Sequence, residues 1–226
     1  MNTTIRIRPF ALLKLLTLAA LALMLMLLSG CRLAGVKGNG DIETQTRQIT
    51  DFTTLEANGA YQVTWSSGSP GVEITTDSNL FKHIETRVSG NQLRIEWQKQ
   101  LRPTRGIKVR ISSPSLTGAE LNGAVRLNAA NMGAPDFFLE ANGATRVELR
   151  GRLNGLTASM NGASRLDAEG LQARVAELSI NGAGRADVNA SELVRVAVSG
   201  AGRVTYSGNP KVQKEISGAG RVKRRD

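Results

Sequence analysis

The sequence predicts an all-β chain, a β-solenoid or β-helix-like column with rungs of 18–20 residues, and three observations predict it. The first is a corner tripeptide that recurs as Asn122-Gly123-Ala124, Asn142-Gly143-Ala144, Asn161-Gly162-Ala163, Asn181-Gly182-Ala183, Ser199-Gly200-Ala201 and Ser217-Gly218-Ala219. Successive starts lie 20, 19, 20, 18 and 18 residues apart. A fixed period of this size marks units that bury their apolar face only against their neighbours. The second is alternation on both sides of the corner. Leu139-Glu140-Ala141 and Leu178-Ser179-Ile180 precede it, and Arg146-Val147-Glu148-Leu149 and Arg165-Leu166-Asp167-Ala168 follow it. Period-2 patterning of this kind belongs to half-buried strands. The third is the corner itself: Asn-Gly between two alternating segments is a strong turn signal, because glycine accepts positive φ. A hairpin meander would not need the same residue at every corner, whereas a coil with two main strands per rung does.

The elements follow in chain order. Residues 1–30 read as an export signal: Arg6, Arg8 and Lys14 precede the apolar run Leu15 to Leu28. That run is short of the ~20 residues a membrane-spanning helix needs. It ends in Leu28-Ser29-Gly30 before Cys31, the only cysteine, and this segment resembles a bacterial lipobox. The resemblance implies cleavage before Cys31 and lipidation of its sulfur, with an acyl chain such as palmitate and attachment to a membrane outside the cytoplasm. Arg32 in place of Asp after the cysteine implies the outer membrane. Loss of residues 1–30 removes three cations and no acid, lowering the net charge from +10 to +7.

Residues 31–46 read as a tether, and residues 47–226 as one β-solenoid domain. Its first part, 47–111, is strand-like but irregular. Val72-Glu73-Ile74, Leu93-Arg94-Ile95-Glu96-Trp97 and Ile107-Lys108-Val109-Arg110-Ile111 alternate, with turns at Ser67 to Gly71 and Ser89-Gly90-Asn91. Trp65 and Trp97 supply bulk, and one isolated corner, Asn58-Gly59-Ala60, stands here. This section is expected to cap the column. The regular rungs occupy 115–226. Pro70, Pro103, Pro114, Pro135 and Pro210 all fall in or beside turns, as strand pairing requires.

Composition excludes several chemistries. One Cys and one His leave no disulfide framework, no multi-cysteine or His-rich metal site and no Cys/His nucleophile pair to build. No catalytic residue, cofactor or metal ligand is assigned. His83 has no second His or ordered acid nearby in sequence and reads as a surface residue. The Gly-Ala-Gly corners lack the following helix and Lys-Ser/Thr of a phosphate-binding loop.

The run Asp51-Phe52, Val63-Thr64-Trp65, Val72-Glu73-Ile74, Asn79-Leu80 and Gly90 to Ile95, followed by the repeated corners, resembles the head GIN domain family (DUF2807). Its most specific part is Ser199-Gly200-Ala201-Gly202-Arg203 to Pro210, then Ser217-Gly218-Ala219-Gly220-Arg221. The resemblance spans about residues 47–222 and implies a β-helix-like, exported bacterial protein with an adhesin label that names no ligand. Many relatives carry Asp where this chain has Arg185, Arg203 and Arg221, so a site built on that acidic column does not carry over.

The residue four after each corner Asn or Ser is Arg126, Arg146, Arg165, Arg185, Arg203 or Arg221. In a regular coil these form one outer stripe, a candidate anion-binding surface for an acidic glycan or another anionic envelope polymer. Two residues on lie Asn128, Glu148, Asp167, Asp187, Thr205 and Lys223, which place an acid beside the middle three arginines. The alternative is a solvated charge ladder, in which exposed pairs contribute about 0–1 kcal/mol each. The Asn column is expected to satisfy turn groups and its own members, as stacked amides do. Few aromatics are available to stack bases, so nucleic acid is not expected. Three function classes follow: a non-catalytic lipid-anchored envelope protein for adhesion or binding, a structural or homo-oligomerising module, and a carbohydrate-active enzyme. The last would need a carboxylate cluster in a groove.

Overall fold

The computed structural model describes residues 35–225. The export signal and Cys31 lie outside the described residues. In chain order the strands are β1 (Val36–Lys37), β2 (Ile42–Arg47), β3 (Thr54–Gly59), β4 (Gln62–Ser67), β5 (Gly71–Asp77), β6 (Ile84–Ser89), β7 (Gln92–Trp97), β8 (Leu101–Arg102) and β9 (Lys108–Ser113). They continue as β10 (Gly118–Gly123), β11 (Arg126–Met132), β12 (Asp136–Gly143), β13 (Arg146–Gly162), β14 (Arg165–Gly182), β15 (Arg185–Gly200), β16 (Arg203–Ser207), β17 (Lys211–Gly218) and β18 (Arg221–Arg224). They wind into a β-solenoid of about 5 turns.

Two parallel flanks meet at the Asn-Gly corner. On one, β7, β3, β10, β12 and the second halves of β13, β14 and β15 stack in order, ending at β17. On the other, β9, β4, β11 and the first halves of β13, β14 and β15 stack, ending at β16 and β18. The pairing is residue for residue: Asn122 faces Asn142, and Gly162 faces Gly182.

The corner column explains the register. Gly143 has φ +105, and a Cβ there would stand 2.7 Å from the carbonyl oxygen of Gly123. Only glycine tolerates both the backbone and the approach. The next residue closes the corner, with Ala144 N–H donating to Gly123 O at 2.9 Å.

Inside the corner, volume is shared between two positions. The residue before Asn is Ala57, Leu121, Ala141, Met160, Ile180 or Val198, and the residue after Ala is Tyr61, Val125, Thr145, Ser164, Gly184 or Gly202. The largest second residue, Tyr61, goes with Ala57, and the glycines at 184 and 202 go with Ile180 and Val198. A Cβ on Gly184 would meet the Ile180 side chain at 2.9 Å. Dense packing of this kind is how a chain with few aromatics builds a core.

The N-terminal end turns antiparallel. There β2 pairs with β5, β5 with β9, and β6 with β7. A 3₁₀ turn at Ser78–His83 buries Leu80, and His83 in that turn is partly exposed. Asp77, fully buried, accepts from Gly40 N–H at 2.8 Å, Thr104 N–H at 2.9 Å and the Thr104 hydroxyl at 2.8 Å. Burial would raise its carboxyl, but the bonds from Thr104 and Gly40 outweigh that and hold it below the usual value.

Two sequence expectations change here. Part of the segment read as a tether, 31–46, is folded: β1 pairs with β8 and β2 with β5, so among the described residues the folded body includes Val36–Thr46 ahead of residue 47. The antiparallel partner strand gives these polar residues a backbone ladder that their sequence does not advertise. The irregular section also does more than cap. Its β3 and β4 form a full coil lying between β7/β9 on one side and β10/β11 on the other. The isolated corner Asn58-Gly59 is therefore in register with Asn122-Gly123.

Candidate functional site

Each corner places the residue four after Asn or Ser on the outer face of the second flank. Successive strands are in direct register there, so Arg126, Arg146, Arg165, Arg185, Arg203 and Arg221 stack as neighbours with no strand skipped. All six are exposed. The same line continues beyond Arg126 through Gln62 on β4 to Lys108 on β9. At ~4.8 Å per strand, Lys108 to Arg221 spans about 34 Å. Lys108 and Gln62 were not found from the repeat. Gln62 was legible, four residues after Asn58. Lys108 was not, because its strand joins the column out of sequence order.

The neighbouring row runs Arg110, Thr64, Asn128, Glu148, Asp167, Asp187, Thr205 and Lys223. The acids expected to neutralise the middle of the stripe are largely engaged elsewhere. Glu148 accepts from Arg150, with Nε at 2.8 Å. Asp187 accepts from Arg225 at 3.0 Å, and Arg225 also pairs with Glu169. Within the stripe only Arg165 reaches a carboxylate among the described residues, Asp187 at 3.9 Å.

The Asn column behaves as its sequence implies. Asn122 donates to Asn58 at 2.8 Å, Asn142 to Asn122 at 2.9 Å, Asn161 to Asn142 at 2.7 Å and Asn181 to Asn161 at 3.1 Å. These amides satisfy one another along the corner, which makes them a structural seam.

The first flank carries a row of acids, Glu56, Glu120 and Glu140, in register. Glu56 is held by Arg94 at 2.7 Å and Asn58 at 2.8 Å, Glu120 by Asn122 at 2.9 Å and Glu140 by Asn142 at 3.0 Å. Beside them Phe138, 60% exposed, borders an open depression of about 340 Å³ over Gly118. The carboxylates stand side by side on one sheet face. A glycosidase pair instead flanks the scissile bond from two sides. No group of three or more His, Cys, Asp or Glu among the described residues is placed to hold a metal ion. No helix among them is long and apolar enough to cross a membrane.

The family described as "Putative auto-transporter adhesin, head GIN domain" matches residues 51–210. No curated protein matches. Among solved structures, a "putative adhesin" from Bacteroides fragilis NCTC 9343 is similar at TM-score 0.70 and 20% identity, covering 84% of this chain and 100% of the other. A "Putative lipid binding protein" from Parabacteroides distasonis ATCC 8503 is similar at TM-score 0.52 and 22% identity, covering 84% and 99%. At these identities the likeness is one of fold. The corner repeat, the two parallel flanks and the match over residues 51–210 together place the chain in the head GIN domain family (DUF2807).

Proposed function

We propose that this protein is a non-catalytic, adhesin-like component of a bacterial cell envelope that holds an anionic polymer along its arginine column. The observation that carries the reading is the unbroken stack Arg126 to Arg221, in which Arg165 alone reaches a carboxylate among the described residues. Two unit charges in water interact with thermal energy at about 7 Å. Stacked cations at ~4.8 Å are closer than that, so the column keeps anions about it. A polyanion that displaces them binds with a salt-dependent gain. Arginine suits the task, since its planar fork matches carboxylate and phosphate.

The export signal and Cys31 support a lipid-anchored protein, with the outer membrane as its address. The family's adhesin description supports a binding rather than a chemical role. Both points belong to this proposal. Anchoring is tested by metabolic labelling with a tagged fatty acid, which should mark the wild-type chain and leave Cys31→Ala unmarked.

Binding is tested with a panel of envelope polymers and acidic glycans at low and moderate salt. The combined variant Arg146→Ser, Arg165→Ser, Arg185→Ser and Arg203→Ser runs in parallel. Binding that weakens with salt and is lost in the variant supports the column as the site. A folded wild type that binds no polyanion overturns it and leaves the solvated ladder, or a self-assembling module, as the reading.

A further inference from the structure

The arginine column has a pitch as well as a charge, and the pitch is rigid. It is set by parallel backbone pairing between Arg126, Arg146, Arg165, Arg185, Arg203 and Arg221, strand upon strand, so it equals the strand spacing of ~4.8 Å. A flexible cluster of cations would take any polyanion. A rigid comb favours one whose charges recur at the same interval, because each mismatch accumulates along the line.

Common polyanions differ in that interval. An extended acidic peptide advances about 3.3–3.4 Å per residue with its side chains alternating sides, and falls out of step by ~1.4 Å per rung. A stacked nucleic-acid strand advances about 3.4 Å along its axis per phosphate, too little by a similar fraction. A 1,4-linked pyranose chain advances by about one ring per sugar, close to one strand spacing, and a uronic acid at every sugar supplies one carboxylate per ring. Successive carboxylates point to either side of the chain axis, within the sweep of an arginine on its long stem.

The surroundings define a single lane for such a chain. On one side runs the row with Glu148, Asp167 and Asp187, of which Asp167 makes no ion pair among the described residues and repels a polyanion drifting that way. On the other side the corner row is alanine, exposed and without bulk, as at Ala144 and Ala183. Asn128 and Thr205 extend the acidic row toward both ends with groups that hydrogen-bond hydroxyls.

We infer that the ligand class is a linear glycan carrying a carboxylate on every sugar, bound in register with one carboxylate per rung. This rests on the polyanion reading above, and the experiment separates the two. The full chain in a neutral detergent is titrated with 1,4-linked oligogalacturonate and with hyaluronate oligomers, in which only every second sugar is acidic, matched for number of carboxylates. The wild type should prefer oligogalacturonate by about tenfold or more, equivalent to roughly 1.4 kcal/mol.

Two triple variants remove equal charge but differ in pitch. Arg146→Ser with Arg185→Ser and Arg221→Ser leaves every second rung cationic, and the preference should disappear or reverse toward hyaluronate. Arg126→Ser with Arg146→Ser and Arg165→Ser leaves consecutive rungs intact, binds more weakly, and should keep the preference. All six positions face solvent, and thermal unfolding of each variant checks that the fold is kept. Equal affinity of the wild type for the two glycans, or the same loss of preference in both variants, overturns the matched pitch while leaving polyanion binding in place. Binding to neither glycan nor any other polyanion removes the reading beneath it.

Discussion

Asn122 donates its side-chain amide to Oδ1 of Asn58, a residue 64 positions earlier in the chain, across 2.8 Å. That bond joins the irregular N-terminal section to the regular column. Asn122 also accepts from Asn142 at 2.9 Å, so it sits in the interior of the seam. Asn181 is the last donor, with one bond to Asn161.

Replacing Asn122 by Ala removes two inter-coil bonds and leaves Asn58 and Asn142 short of partners. Each bond contributes about 0.5–1.5 kcal/mol net. Asn122→Ala should therefore lower stability by roughly 1–3 kcal/mol, and Asn181→Ala by less. Urea unfolding of the two variants checks the order, and equal losses would mean that the seam is not cooperative.

Gly143→Ala meets two obstacles: φ of +105 and a Cβ placed 2.7 Å from Gly123 O. A cost of about 2–3 kcal/mol or more is expected from strain at such a site. Gly133→Ala is the control. Its φ is outside the left-handed range and nothing stands within 4 Å of the added carbon, so its effect should be within about 0.5 kcal/mol. Denaturant midpoints of the pair give the comparison directly.

The carboxylate of Asp77 is held ionised by Thr104 and Gly40, with a folded pKa below its ordinary value. A depressed carboxylate contributes stability that is full above the unfolded pKa and is lost as pH falls through the folded one. The wild type should exceed Asp77→Asn by about 2–3 kcal/mol near neutrality, since an amide NH2 in place of Oδ2 faces the Thr104 N–H and one in place of Oδ1 faces the Gly40 N–H. That margin should hold down to about pH 5 and shrink below about pH 4. A margin independent of pH would assign the effect to shape rather than charge.

Arg225 and Arg185 make opposite predictions. Arg225 bonds Asp187 and pairs with Glu169, tying the C-terminal segment to two earlier coils, whereas Arg185 has like charges as its column neighbours. Arg225→Ala should lower the melting temperature at low salt, with the loss reduced at high salt. Arg185→Ser should leave it unchanged or raise it at low salt, since it relieves repulsion. A lowered melting temperature for Arg185→Ser would mean that its stem, not its charge, matters to the fold.

What the chain alone determined is local and periodic. Alternation sets which side chains face inward, glycine at the corner sets where the chain bends, and a constant period brings equal positions into register. Parallel stacking then converts a repeat in sequence into a row in space. For that reason the arginine line and the asparagine seam were legible without any structure. The strand order at the N-terminal end was not legible, because no period links β3 and β4 to their neighbours. Their place between β7/β9 and β10/β11 is chosen by apolar packing among residues far apart in sequence, such as Leu55, Leu93 and Leu121. The tertiary structure alone added Lys108 to the cationic line, turned residues 42–47 into a strand and engaged Glu148 with Arg150 and Asp187 with Arg225. Those outcomes depend on which side chain arrives closest once the coils are stacked, and that distance is decided in three dimensions rather than along the chain.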